Sequence, residues 1–212
     1  MTSSREGFTV RVQRIGSAAP AGVGFVVDDR HIITCAHVVN TALGRKDQRA
    51  QDMPGSQVRV QVDFPMLGDA AGGPSRSCAV EAWVPPPLSG VSGGDVAGLV
   101  VVGEGLPERA GPARLTDPMT ARDVRAWVFG YPGDPPRREN GAFSELRLRG
   151  MVGGAVIQLD TRSESAIRAQ PGYSGSPVIV AGSGGMRWCW GCWRWPAVGA
   201  EPGTRMRYQC RS

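Results

Sequence analysis

The chain has 212 residues, enough for one sizeable domain or two small packed halves. Its 30 glycines and 17 prolines stay below the roughly 25–30% that marks low-complexity chains, and no apolar run reaches the ~18 residues of a membrane helix. The net charge of +5 does not indicate nucleic-acid binding, because residues 185–212 carry five arginines and one acid and leave the body of the chain nearly neutral.

Met1 to Gly7 is polar and lacks the apolar stretch of a signal peptide, so secretion by that route is not expected. Phe8 to Ile15 alternates apolar and polar residues with the period of a half-buried strand. After a Gly/Ala/Pro turn, Gly22–Val27 and His31–Val39 read as two further strand-like runs around an Asp28-Asp29 turn, the second carrying a histidine, His37, near its end. The other histidine, His31, reads as a satisfied core residue, and residues 44–56 read as loop. Gln57–Phe64 is the cleanest alternation, with Val58, Val60, Val62 and Phe64 on one face. Cys78–Val84 and Asp95–Val102 complete a first half, residues 1–105, and the Gly, Pro and charge of 106–123 read as a linker. Val124–Gly130, Ser144–Arg149 and Ala155–Leu159 build a second half, 124–181, followed by a Trp/Cys/Arg-rich tail, 182–212. About ten short strands with turn signals every 8–12 residues or so predict an all-β barrel or sandwich.

The chemistry centres on Gln170–Val180, where Ser174 lies in a Gly172-Tyr-Ser-Gly-Ser-Pro turn just before an apolar strand. A hydroxyl becomes a useful nucleophile when a fixed turn presents it to a base and backbone amides face the oxygen that gains charge. Two upstream segments offer partners: Thr34-Cys-Ala-His-Val ends an apolar run on His37, and Gly94-Asp-Val-Ala-Gly opens another on Asp95. Each has a bland alternative. His37 would suit a core, Asp95 the start of a strand, and Ser174 an ordinary turn. The pair of distant histidines implies no metal site.

With His37, Asp95 and Ser174 in that order, separated by 58 and 79 residues, the sequence resembles the trypsin/chymotrypsin-like serine peptidases, particularly small bacterial forms without disulfides. The resemblance covers about residues 8–181 and implies two packed antiparallel β-barrels with the active site in the cleft between them. It implies a cofactor-free serine endopeptidase in which Ser174 attacks the scissile carbonyl and His37 shuttles the proton. Asp95 would orient the imidazole, and the amides of Gly172 and Ser174 would form the oxyanion hole. The partner implied is a protein or peptide substrate, with neither nucleic acid nor membrane, and such domains often head longer multidomain chains. The rival reading is a catalytically impaired, peptidase-like binding module.

Two positions depart from the family pattern. Tyr173 stands where trypsin has the acid that pairs with a new N-terminus after zymogen cleavage, and Arg168 falls where the floor of the specificity pocket is expected. The five cysteines form no disulfide framework, so a reducing, cytoplasmic setting is expected. Cys35 and Cys78 read as small buried hydrophobes.

The tail departs most. Met186–Trp195 crowds tryptophan, cysteine and arginine where the family has another apolar strand, so the second barrel reads as incomplete. Cys189 and Cys192 form a Cys-x-x-Cys pair outside the βαβ context of a redox motif. The chain uses a single lysine, Lys46, among its many arginines, which suggests GC-rich codons. Back-translated with such codons and read one base earlier, 186–195 becomes an apolar strand-like phrase, which reads as a one-base frameshift in the gene or its sequence.

Overall fold

The computed structural model describes residues 7–68, 73–88, 93–116, 122–133, 136–137, 139–152, 156–161, 170–182, 185–189 and 206–209. Among the described residues thirteen strands and one short helix follow in chain order. They are β1 (Thr9–Gln13), β2 (Pro20–Val26), β3 (His31–Thr34), α1 (Ala36–Ala42), β4 (Val60–Asp63), β5 (Ser75–Val84) and β6 (Val96–Val102), then β7 (Leu115–Thr116), β8 (Val124–Gly130), β9 (Ala142–Val152), β10 (Val156–Thr161), β11 (Val178–Gly182), β12 (Gly185–Cys189) and β13 (Met206–Gln209).

The first six strands close into a barrel in the order β1-β2-β3-β6-β5-β4. Closure comes from β1 meeting β4 antiparallel, with Val12 opposite Val62 and Arg11 opposite Asp63. The period-two pattern sends Val10, Val12, Phe25, Ile32, Val60, Val62 and Leu99 inward, where each is at most 1% exposed. Such burial removes each side chain from water and contributes roughly 1.5–3 kcal/mol apiece before entropy is charged against it.

The remaining strands form a seven-stranded sheet in the order β13-β10-β9-β8-β11-β12-β7. Its core holds Ala126, Val128, Leu146, Leu148, Ile157, Leu159, Val178 and Val180, with the Tyr173 ring among them. Val23 of β2 packs with Phe129 and Tyr131 at the end of β8, and the Arg11 guanidinium lies 5.7 Å from the Tyr131 ring centroid. The two strand systems therefore meet along β2 and β8. The architecture is the all-β one that the strand pattern predicts, and a closed barrel beside a second sheet is consistent with the fold that the resemblance implies.

Several local readings need correction. The run His31–Val39 is not one strand: β3 stops at Thr34, and Ala36–Ala42 turns into a seven-residue helix. Short apolar runs do not distinguish strand from helix by period, and here side chains from elsewhere decide. The Asp95 carboxylate accepts the N–H of His37 in the first helical turn, a donor that has no partner within a helix. Buried Asn40 donates to the carbonyls of Gln48 and Ala50, tying the following loop to the helix. His31 is not a core residue. Its side chain is 40% exposed and bridges Asp28 and Glu81 on the surface.

Val58 lies before β4 rather than in it. The stretch read as a linker contains β7, which runs parallel to β12. In the tail, the backbone of Gly185–Cys189 pairs antiparallel with β11, so a strand does follow β11 despite its unusual composition. Among the described residues the second sheet is an open row of strands rather than a closed ring. Arg168, Cys192 and Cys210 lie outside the described residues.

Candidate active site

Strand register brings three distant points of the chain side by side. Thr34, the last residue of β3, faces Gly24 of β2 on one side and Ala97 of β6 on the other. His37 follows three residues after Thr34, and Asp95 precedes Ala97 by two. The histidine and the carboxylate are thus delivered to the same end of the barrel.

Asp95 reaches back to His37 through an unusual backbone. Its φ is +67°, and Gly93 and Gly94 before it have φ of +107° and +89°. Aspartate tolerates the left-handed region better than most residues, yet the conformation still costs on the order of 1–3 kcal/mol. The turn is held by the Asp95 N–H donating to the Pro85 carbonyl at 2.8 Å. A Cβ on Gly94 would come within 2.6 Å of that same carbonyl oxygen.

The result is a two-pronged contact. Asp95 Oδ1 accepts the His37 backbone N–H at 2.9 Å, and Oδ2 lies 2.6 Å from His37 Nδ1. Asp95 is 2% exposed, whereas the His37 side chain keeps 22% of its surface. A buried carboxylate on Nδ1 favours the tautomer protonated there and leaves Nε2 as the basic nitrogen. The Thr41 hydroxyl donates to the His37 carbonyl at 2.8 Å, which fixes the helical turn further.

Ser174 sits in the turn before β11 and is 7% exposed. Its carbonyl accepts the Val23 N–H at 2.9 Å, so the turn is pinned to β2 of the first barrel. Glycines make that approach possible. A Cβ on Gly22 would fall 2.7 Å from Val38 and 2.9 Å from the Ser174 carbonyl oxygen, and one on Gly175 would fall 1.9 Å from the Val23 carbonyl oxygen. The Thr34 hydroxyl donates to that Val23 carbonyl at 2.7 Å. Among the described residues no hydrogen bond joins the Ser174 hydroxyl to His37. Catalytic contacts of this kind are often long until substrate is bound.

Gly172 has φ of +107°, and its carbonyl accepts the Tyr131 N–H at 2.9 Å. Among the described residues, the amides of Gly172 and Ser174 donate to no protein acceptor. Tyr173 is fully buried, and Gly130 makes room for its ring, since a Cβ there would lie 2.6 Å from it. Burial pushes the Tyr173 phenol up to about 12, so a neutral ring fills the position where the resemblance placed an acid. Ser176 is a supporting residue that sequence reasoning missed: its hydroxyl accepts the Phe129 N–H at 3.1 Å and donates to the Pro177 carbonyl. Thr34 is another. Both sit inside the quoted motifs but bond to strands whose approach no motif spacing reveals.

The amino-acid sequence matches the family model described as trypsin-like peptidase domain over residues 22–184. The chain belongs to the trypsin-like peptidase family. A peptidase-type function on protein or peptide substrates follows from that membership. No curated protein matches the chain in sequence. The family match ends at the threshold of the tryptophan-rich tail. Among the described residues no helix is long and apolar enough to cross a membrane. A cavity of about 360 Å³ lies between the β1–β2 turn, the end of α1 and β4, and none of His37, Asp95 or Ser174 lines it. Cys78 offers no rival nucleophile, because burial pushes its thiol up to about 12.

Proposed function

We propose that the chain is a serine endopeptidase working through an acyl-enzyme. Ser174 attacks the scissile carbonyl as His37 Nε2 takes its proton, and His37 then returns that proton to the leaving amine. Asp95 holds the imidazole in the required tautomer and stabilises the imidazolium while it lasts. The amides of Gly172 and Ser174 receive the charge on the tetrahedral oxygen. Losing one such donor typically costs about 10²–10³ in rate.

The observation that carries this reading is the grip of Asp95 on His37 through both its side-chain and backbone nitrogens, made by a buried carboxylate on a left-handed turn. Asp123 also has a positive φ, but it holds surface arginines, whereas Asp95 turns a buried carboxylate onto an imidazole. The uncommitted amides beside Ser174 support the same conclusion. Hydrolysis of a fluorogenic casein tests it: turnover that disappears in Ser174→Ala supports the enzyme, and equal turnover in that variant refutes it.

A binding module with a peptidase scaffold is the second reading, favoured by the missing Ser174–His37 hydrogen bond. It predicts a folded protein with no turnover and retained peptide binding. We further propose that the tail from about residue 185 arises from a one-base frameshift, supported by the end of the family match there. An uninterrupted gene frame whose codons forbid an apolar reading one base earlier would refute this.

A further inference from the structure

Cys35 stands two residues before His37, at the N-cap of α1, where its side chain makes no capping bond. It is fully buried and in no disulfide. The fold brings it beside the His37–Asp95 contact. Ligand atoms of Cys35, His37 and Asp95 all lie within 4.8 Å of one another. No spacing in the sequence announces this set, because Asp95 arrives from β6 and the other two from the start of α1.

A thiolate, an imidazole and a carboxylate form a donor set for a borderline-soft divalent ion such as Zn²⁺ or Cd²⁺. Zinc bonds of about 2.0–2.3 Å put tetrahedral ligand atoms roughly 3.3–3.7 Å apart. With every pair of these atoms within 4.8 Å, an ion can draw all three onto itself by movements of about an ångström. The 2.6 Å separation of His37 Nδ1 and Asp95 Oδ2 must open by roughly an ångström for the zinc geometry. The His37 side chain, 22% exposed beside the buried Cys35 and Asp95, offers the route in.

We propose that Cys35, His37 and Asp95 form an inhibitory site for a thiophilic divalent metal ion. The inhibitory part rests on the peptidase reading above; the binding part does not. The chemistry of inhibition is a proton relocation. The ion takes Nδ1, whose proton moves to Nε2, while the Cys35 thiol proton leaves to solvent. An imidazole metallated on Nδ1 and protonated on Nε2 cannot accept the Ser174 proton. The ion also occupies the carboxylate that would steady the imidazolium. Both roles in proton transfer are lost at once, without any change in the substrate cleft.

The test uses the full chain with Cys189→Ser, Cys192→Ser and Cys210→Ser, which removes the tail thiols. Cd²⁺ titration is followed by the ultraviolet thiolate-to-metal charge-transfer band, and Zn²⁺ inhibition by the rate of fluorophosphonate labelling. The expected result is one equivalent of Cd²⁺ bound, with the band lost in Cys35→Ala and in the more conservative Cys35→Ser. Removing a ligand costs at least what removing a group that only orients one does, on the order of 10–100-fold in affinity. The Zn²⁺ concentration for half-inhibition should rise by at least that factor in either variant. A missing band in the parent background, or equal Zn²⁺ sensitivity in a folded Cys35 variant, overturns the proposal. A Cys35-dependent band in a protein that never reacts with the probe supports the metal site and removes the peptidase reading.

Discussion

Gly22→Ala tests whether the contact between the two strand systems sets the geometry of the reacting groups. Gly22 lies in β2, and its missing side chain leaves space that the Ser174 carbonyl and the Val38 methyls occupy from opposite chain segments. An added Cβ would meet the Val38 Cγ2 at 2.7 Å and the Ser174 carbonyl oxygen at 2.9 Å. Ordinary contact needs at least roughly 0.6–0.8 Å more, since dispersion wells lie near 3.5–4.0 Å, and that displacement is shared between the two neighbours. The neighbours are Ser174 itself and the residue after His37, so any relief moves a reacting group. Overpacking of this kind costs about 1–3 kcal/mol of stability. Misplacement by about 1 Å can cost 10²-fold in rate, so a shift of half that size should cost on the order of tenfold. The assay is the second-order rate of fluorophosphonate labelling alongside a thermal melt. Gly55→Ala is the control, because nothing lies within 4 Å of its added Cβ. A folded Gly22→Ala protein labelled at the parent rate would refute the reasoning.

Three further outcomes follow from particular contacts. Asp95→Asn keeps the shape of the side chain but replaces an acceptor facing Nδ1 with a group that stabilises the wrong tautomer; kcat should fall by about 10⁴ with KM little changed, measured by steady-state peptide hydrolysis. His31 has its pKa raised first by the Asp28 side-chain hydrogen bond, with Glu81 adding to it. A raised folded pKa gives stability that is full below the unfolded value and lost as pH rises through the folded one. His31→Gln should therefore destabilise below about pH 6.5 and converge with the parent at higher pH. Because the pair is exposed, the difference is at most about 1 kcal/mol by urea denaturation. Tyr173→Phe removes a buried hydroxyl that has no partner among the described residues. Such a group carries its desolvation cost uncompensated, so the variant should melt at or above the parent temperature.

The strands were legible because barrel walls impose a period of two. Val10 and Val12, or Val60 and Val62, alternate with polar neighbours and are buried as that period requires. The helix at His37 was not legible. Seven residues give too little periodicity, and the group that satisfies its first turn, Asp95, lies 58 residues away. The candidate site was readable as three residue types in order, each beside its own turn signal. Its fine structure was not. Gly93-Gly94-Asp95 marks a turn in the sequence, but its consecutive positive φ values, and the way they swing the carboxylate onto His37, belong to the packed barrel. His31 misled for a simple reason. It opens an apolar strand, yet its position at the strand end leaves the ring among surface carboxylates.

The central claim is that His37 and Asp95 make the Ser174 hydroxyl nucleophilic. The most direct measurement is mass-spectrometric mapping of the fluorophosphonate adduct on the parent chain and on folded Ser174→Ala and His37→Ala variants. One adduct is expected, on the peptide containing Ser174, absent from Ser174→Ala and nearly absent from His37→Ala. An adduct on another residue, or equal labelling of the His37→Ala protein, would contradict it.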